Sequence, residues 1–141
     1  MNEYMAHAVD VAKRAAERGE VPIGAVIVHN GKIIARAHNR REKKQNALHH
    51  AEVIAINRAC RKLKSWRLDD CEMYITMQPC LMCMGAILNA RIPRVYIGAY
   101  SSRPDDLKLF HDNNLNHKTE YEIVDCPDCS SIVRDFFAGK R

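Results

Sequence analysis

Two short stretches hold the residue types that could do chemistry: "HHAE" at 49–52 and "PCLMC" at 79–83. Titratable groups crowded at the start of an apolar-faced helix must be held by something, because burying polar groups without partners costs several kcal/mol. Cysteines three apart on a helix share a face, so Cys80 and Cys83 can reach one ion. Zinc takes thiolate and imidazole ligands tetrahedrally, and His50 can be the third. Three protein ligands leave the fourth position to water, the arrangement of a catalytic rather than a structural site. Helix N-termini add positive potential, which favours thiolate. Glu52 is off the helical face of His50, yet at a helix start both side chains can aim into one cavity. There a carboxylate can take a proton from a metal-activated water and deliver it to a leaving group. His49 should point roughly 100° away from His50. It is read as the spare, with the reverse assignment as the alternative.

These residues need a frame. Residues 3–18 carry a helical stripe of Met5, Ala8, Val9, Ala12, Ala15 and Ala16. "VPIGAVIV" (21–28) reads as a buried strand, and the Asn-Gly pair of "HNGK" turns it into a second strand at 32–37. Residues 38–48 are polar and basic, hence a loop, and a helix opens near His49 and runs to about Leu63. Further strands are expected at 71–77, 94–100 and 119–125. Pro79 can open a helix through "CLMCMGAILNA", 101–118 reads as irregular, and 126–139 as an amphipathic helix. The order α-β-β-α-β-α-β-β-α predicts a three-layer α/β/α sandwich around a five-stranded mixed sheet.

At 141 residues, 47% hydrophobic and 28% charged, the chain has the composition of an ordinary globular protein and is expected to form one domain, 1–141. No apolar run approaches the roughly 18–20 residues of a membrane span, and the charged N-terminus lacks a signal core, so a cytoplasmic protein is expected. The net charge of +5 is compatible with nucleic acid or another polyanion without demanding either. Of six cysteines, four form two C-x-x-C pairs, which points to metal or redox chemistry rather than to a secreted disulfide framework.

The order H-x-E then P-C-x-x-C matches the signature of zinc nucleobase deaminases. Beyond it, the chain resembles the bacterial TadA-type tRNA adenosine deaminases of the cytidine deaminase superfamily over nearly its whole length. The likeness runs through "EVPIGAVIVHNGKIIARAHNR" (20–40), "HAEVIAI" (50–56), "YITMQPCLMCMGAILNARIPRVYIGA" (74–99), "LNH" (115–117) and "DFF" (135–137). The resemblance implies a cytidine deaminase-like fold, His50, Cys80 and Cys83 as zinc ligands, and Glu52 as proton shuttle. Asn39 would hydrogen-bond the target base and Val21 would form an apolar wall of its pocket. The implied reaction is hydrolysis at C6 of a flipped-out adenine, releasing ammonia and leaving inosine. The implied substrate is the wobble position of arginine tRNA, presented on its anticodon stem-loop, and the implied assembly is a homodimer.

Three departures stand out. Gln78 occupies the position where the family usually has Glu. "YSSRPDDLKLF" (100–110) replaces the family's acidic residue and Lys-Thr-Gly run, with Ser101 at the acidic position. Leu48 and His49 replace small residues before the ligand. The basic residues Arg40, Arg41, Lys43, Lys44, Lys140 and Arg141 become phosphate contacts if RNA is the substrate. "CPDC" (126–129) is read foremost as plain helix-opening residues, with a redox pair or a shared structural zinc as alternatives. The rival functions are a zinc deaminase of a free base or nucleoside, cytosine or guanine in type, and a non-catalytic zinc-stabilised RNA-binding module. An intact Glu52 speaks against the last.

Overall fold

A computed structural model describes residues 2–139, so Lys140 and Arg141 lie outside the described residues. Helix α1 (Glu3–Glu17) is capped by the Asn2 side chain, which accepts from the backbone N–H groups of Tyr4 and Met5. Strands β1 (Gly24–His29) and β2 (Lys32–His38) form the expected hairpin. Its turn residues Asn30 and Gly31 have φ of 51° and 77°, the left-handed pair that a two-residue hairpin requires. After α2 (Arg41–Lys44) come α3 (Ala51–Leu63), β3 (Cys71–Ile75), α4 (Leu81–Asn89) and β4 (Arg94–Ile97). A 3-10 helix (Pro104–Phe110), β5 (Glu120–Ile123) and α5 (Pro127–Ala138) complete the order.

The five strands form one mixed sheet in the order β2-β1-β3-β4-β5. β1 is antiparallel to both β2 and β3, whereas β3, β4 and β5 run parallel. Alternation along β1 sends Ala25 and Ile27 to one face and Val26 and Val28 to the other. The first face is buried under α3 and α4 through Ile54, Ala55, Ala59, Met84, Ile87 and Leu88. The second is buried under α1 and α5 through Met5, Ala8, Val9 and Cys129. This is the expected three-layer α/β/α sandwich.

One irregularity matters to the site. Opposite Ile27 and Val28, β2 carries an extra residue, Ile34, because Ile27 pairs with Ala35 and Val28 with Ile33. A bulge of this kind reverses which residues face which layer. Beyond it Ala35 and Ala37 join the α3 side of the core, and Asn39, next in phase, is buried beside the start of α3.

Several boundaries differ from the sequence expectations for physical reasons. β1 begins at Gly24 rather than 21, since Pro22 has no N–H for a ladder and Val21 and Ile23 bond to each other instead. The stretch read as a loop at 38–48 contains the single turn α2. The stretch read as irregular contains the 3-10 helix, pinned by buried Leu107 and Phe110. Burying such side chains contributes about 1.5–3 kcal/mol each, enough to order an otherwise polar segment. Cys126 and Cys129 are not independent helix-opening residues: they form a disulfide, their Cα atoms 5.5 Å apart. A first helical turn brings positions three apart together, which puts the pair within bonding range. No helix among the described residues is long and apolar enough to cross a membrane.

Candidate active site

His50 and Cys80 are the N-cap residues of α3 and α4, and neither side chain is used to cap its own helix. Both are therefore free to turn toward the space between the two helix starts. Cys83 lies one turn into α4 and is fully buried. The His50 Nδ1 is 3.6 Å from the Cys80 sulfur and 3.6 Å from the Cys83 sulfur, and the three candidate ligand atoms all lie within 4.8 Å of one another.

Those separations suit a metal. Bond lengths of about 2.3 Å to sulfur and 2.0–2.1 Å to nitrogen in a tetrahedral zinc site require N and S ligands to sit about 3.6 Å apart. Zinc therefore fits the donor set. Among the described residues this is the one His/Cys/Asp/Glu group so arranged, and His49 stays outside it. Cys83 lowers the thiol of its neighbour Cys80 to about 5, and Cys80 in turn raises that of Cys83.

Glu52 sits in the first turn of α3, 4% exposed. Burial pushes its carboxyl up to about 7, against the hydrogen bonds from its own backbone N–H and from Cys83. Glu52, His50 and Cys80 open onto a cavity of about 150 Å³ whose other walls include Val21, Ile23, Asn39 and Gln78. Asn39 is buried, and its Oδ1 accepts from the Arg41 N–H at 3.2 Å, which leaves its amide nitrogen for a ligand. All six residues singled out from the sequence thus meet at one cavity or just beneath it.

Ile23 and Glu20 were not singled out as parts of the site, and Arg41 was expected only as a phosphate contact. Ile23 and Arg41 line the cavity. Glu20 is a buried acid whose two carboxylate oxygens accept from the N–H groups of Glu42 and Lys43, at 3.1 and 2.7 Å. It ties the basic turn α2 down beside the cavity mouth. The only sequence signal for it is an acid placed directly before an apolar strand.

Gln78 connects two of the departures noted above. Its Nε2 donates to the Arg103 carbonyl at 2.8 Å, and its Oε1 accepts from the Ser101 N–H at 3.1 Å. A glutamate here could accept from Ser101 but would turn a carboxylate oxygen toward a carbonyl. The glutamine and the altered loop are therefore matched to each other.

Comparison with known proteins gives the family. The MafB19-like deaminase family model matches residues 1–141. The tRNA-specific adenosine deaminase of Bacillus subtilis (strain 168) is 45% identical, the match covering 98% of this chain and 89% of that protein. The tRNA-specific adenosine deaminase of Aquifex aeolicus (strain VF5) is 37% identical, over 98% of this chain and 94% of that protein. A solved structure from studies of A-to-I editing by tRNA:A34 deaminases superimposes with a TM-score of 0.81 at 37% identity, over 86% of this chain and 96% of that one. Guanine deaminase from Bacillus subtilis superimposes with a TM-score of 0.68 at 30% identity, over 98% of this chain and 95% of that one. With a cytidine deaminase-like sandwich and a His-Cys-Cys group at two helix starts, the chain belongs to the family of bacterial tRNA-specific adenosine deaminases.

Proposed function

We propose that this chain, as one domain, is a zinc-dependent hydrolase that converts the wobble adenosine of a tRNA, an arginine tRNA, to inosine. The observation that carries the reading is the meeting of a buried carboxylate with a His-Cys-Cys group in one cavity. It occurs in a chain 45% identical to a tRNA-specific adenosine deaminase.

Zinc held by His50, Cys80 and Cys83 supplies Lewis-acid activation of water. The chain's own groups do the rest. A Glu52 carboxylate oxygen takes the proton of the attacking water and returns it to the departing amine. A carboxyl near 7 is suited to both directions of transfer. The Asn39 amide nitrogen donates to an acceptor on the base and fixes its register. Val21 and Ile23 provide an apolar wall that the base packs on and that keeps bulk water away. Arg41, Lys43 and Lys44, tied down by Glu20, meet the phosphates of the anticodon stem-loop. A tRNA enzyme works in the cytoplasm. Exposed Leu81, Met82 and Tyr100 near the site give apolar surface for the second copy in a homodimer.

The similarity to guanine deaminase supports a second reading, a deaminase of a free base. Ammonia release from an arginine tRNA anticodon stem-loop, adenosine, cytidine and guanine separates the two. Turnover of the stem-loop is expected, with Asn39→Ala crippling it. Replacing Arg41, Lys43 and Lys44 with Gln should weaken stem-loop binding and flatten its salt dependence, since each lost phosphate contact releases fewer counterions. Salt-independent turnover of guanine or cytidine with none of the stem-loop would move the chain to the second reading.

A further inference from the structure

The bulge that turns Asn39 toward the cavity turns its neighbours the other way. Arg36 and His38 of the edge strand β2, with Arg40 just past its end, lie on the α1 side, where Arg14 on α1 and Arg18 at its C-cap come to meet them. Arg58 reaches round the edge from α3 and donates to the Arg36 carbonyl. Together these side chains line a second cavity, of about 200 Å³.

Its charge is not balanced. Among the described residues, none of the five arginines makes an ion pair. Glu20 is the carboxylate whose field reaches His38, and both of its oxygens are already occupied by backbone N–H groups. The Arg40 Nε–H is buried without a hydrogen-bond partner. His38 adds no charge: its Nδ1 bonds to the Asn39 carbonyl at 2.9 Å, which leaves Nε2 to accept from Arg18 at 3.3 Å. Burial, and the neighbouring Arg18 and Arg40 charges, hold that imidazole below its ordinary value. It acts as a neutral prop for Arg18.

Exposed arginines ordinarily splay into solvent or find carboxylates. Here they are gathered round one hollow with no acid among its lining. Like charges held together repel, a cost that a bound anion offsets. Guanidinium forks match the oxygens of phosphate two at a time. We propose that this hollow is a phosphate-binding site. The phosphate can come from the backbone of a bound RNA or from a free phosphate compound, and the site's chemistry is the same for both. Because Arg40 directly follows Asn39 in the chain, occupation here is mechanically adjacent to the base-binding residue.

Calorimetric titration of the zinc-loaded protein with inorganic pyrophosphate tests the site, alongside Arg14→Gln, Arg36→Gln and the double variant. Neither residue lines the catalytic cavity, and unchanged melting temperatures establish that the variants fold. Saturable binding at one site is expected for a free-phosphate site. Each single variant should weaken it roughly tenfold, through loss of a charge-assisted bond. The stem-loop arm identifies an RNA source. There the double variant should raise KM without changing kcat, and lower the slope of log K against log salt by about one per lost contact. Pyrophosphate binding lost in the variants with stem-loop kinetics unmoved assigns the free compound. Pyrophosphate binding that is absent or untouched by the double variant, together with unmoved stem-loop kinetics, overturns the proposal. Wild-type deamination of the stem-loop, run in parallel, reports separately on the proposed function: pyrophosphate binding without deamination would keep the site and discard that function.

Discussion

Cys80 and Cys126 each occupy the N-cap position of a helix, α4 and α5, and Cys83 and Cys129 follow them by three residues. The positions in the helix are the same in both pairs, and so is the motif, yet the backbone at the N-cap differs, extended at Cys80 and not at Cys126, and the sulfurs end up with different neighbours. The first pair faces the start of α3, where His50 presents Nδ1 at 3.6 Å from each sulfur and Glu52 waits behind. Among the described residues, no histidine or acid joins the second pair in a donor group. That pair lies under the sheet beside Gly98, with the two sulfurs joined to each other. Gly98 is glycine for a reason, since any Cβ there would run into the Cys129 sulfur and the Thr76 carbonyl. Cysteine spacing therefore brings two sulfurs together, and the neighbouring element decides whether they meet a third donor, as at His50, or bond to each other.

The largest effect should come from breaking the first pair. Cys83→Ala is expected to lose the metal and reduce deamination to background, whereas Cys129→Ala keeps one zinc per chain. Elemental analysis of both proteins, purified side by side, decides the matter. Full zinc in Cys83→Ala, or its loss from Cys129→Ala, would reverse the assignment of the two pairs. Next in size is Glu52→Gln, which removes the proton carrier but leaves all three ligands. Zinc content should be unchanged and kcat should fall by about 10²–10⁴-fold. Activity within tenfold of the unmodified enzyme would remove Glu52 from proton transfer.

The difference between the pairs also shows what a sequence carries. That His50, Glu52, Cys80 and Cys83 meet in one place was legible, because metal chemistry demands particular side chains at particular spacings and helix starts supply the geometry. The sandwich was legible from periodicity and from the Asn-Gly turn. The disulfide was not, since Cys80–Cys83 and Cys126–Cys129 look alike until their neighbours are placed. The bulge at Ile34, which gives Asn39 and Arg40 opposite faces, has no local signal: it arises from pairing with β1. Glu20 showed only as an acid before an apolar strand, because its partners, Glu42 and Lys43, are distant in sequence and use only their backbone.

A finer separation of the pairs comes from thiol chemistry. Of the six cysteines, Cys60, Cys71, Cys80 and Cys83 are free thiols. Cys71 is buried, and burial pushes it up to about 11, so it should react slowly with alkylating agents. A chelator that strips the metal should expose Cys80 first, whose thiol lies at about 5. Cys126 and Cys129 should remain unmodified until a reductant is added. Peptide masses after iodoacetamide, with chelator alone and then with reductant, show the order. Alkylation of Cys126 under chelator alone would mean that the second pair is not joined in solution.

The smallest effect should be the thermodynamic one. A disulfide that closes so short a loop removes little freedom from the unfolded chain, worth about 2 kcal/mol in the chain-entropy account. Replacing Cys126 and Cys129 together with Ser should therefore lower the melting temperature by about 4–8 °C. The fold should survive, because the α1 and α5 layer keeps Met5, Ala8, Val9 and the strand residues Val26 and Val28 in place. Zinc content and kcat should be unchanged, since neither serine approaches the catalytic cavity. A fall in kcat at full zinc would mean that α5, and not only the helix starts of α3 and α4, sets the geometry at Glu52. The second pair would then belong to the catalytic machinery after all, acting by position rather than by chemistry.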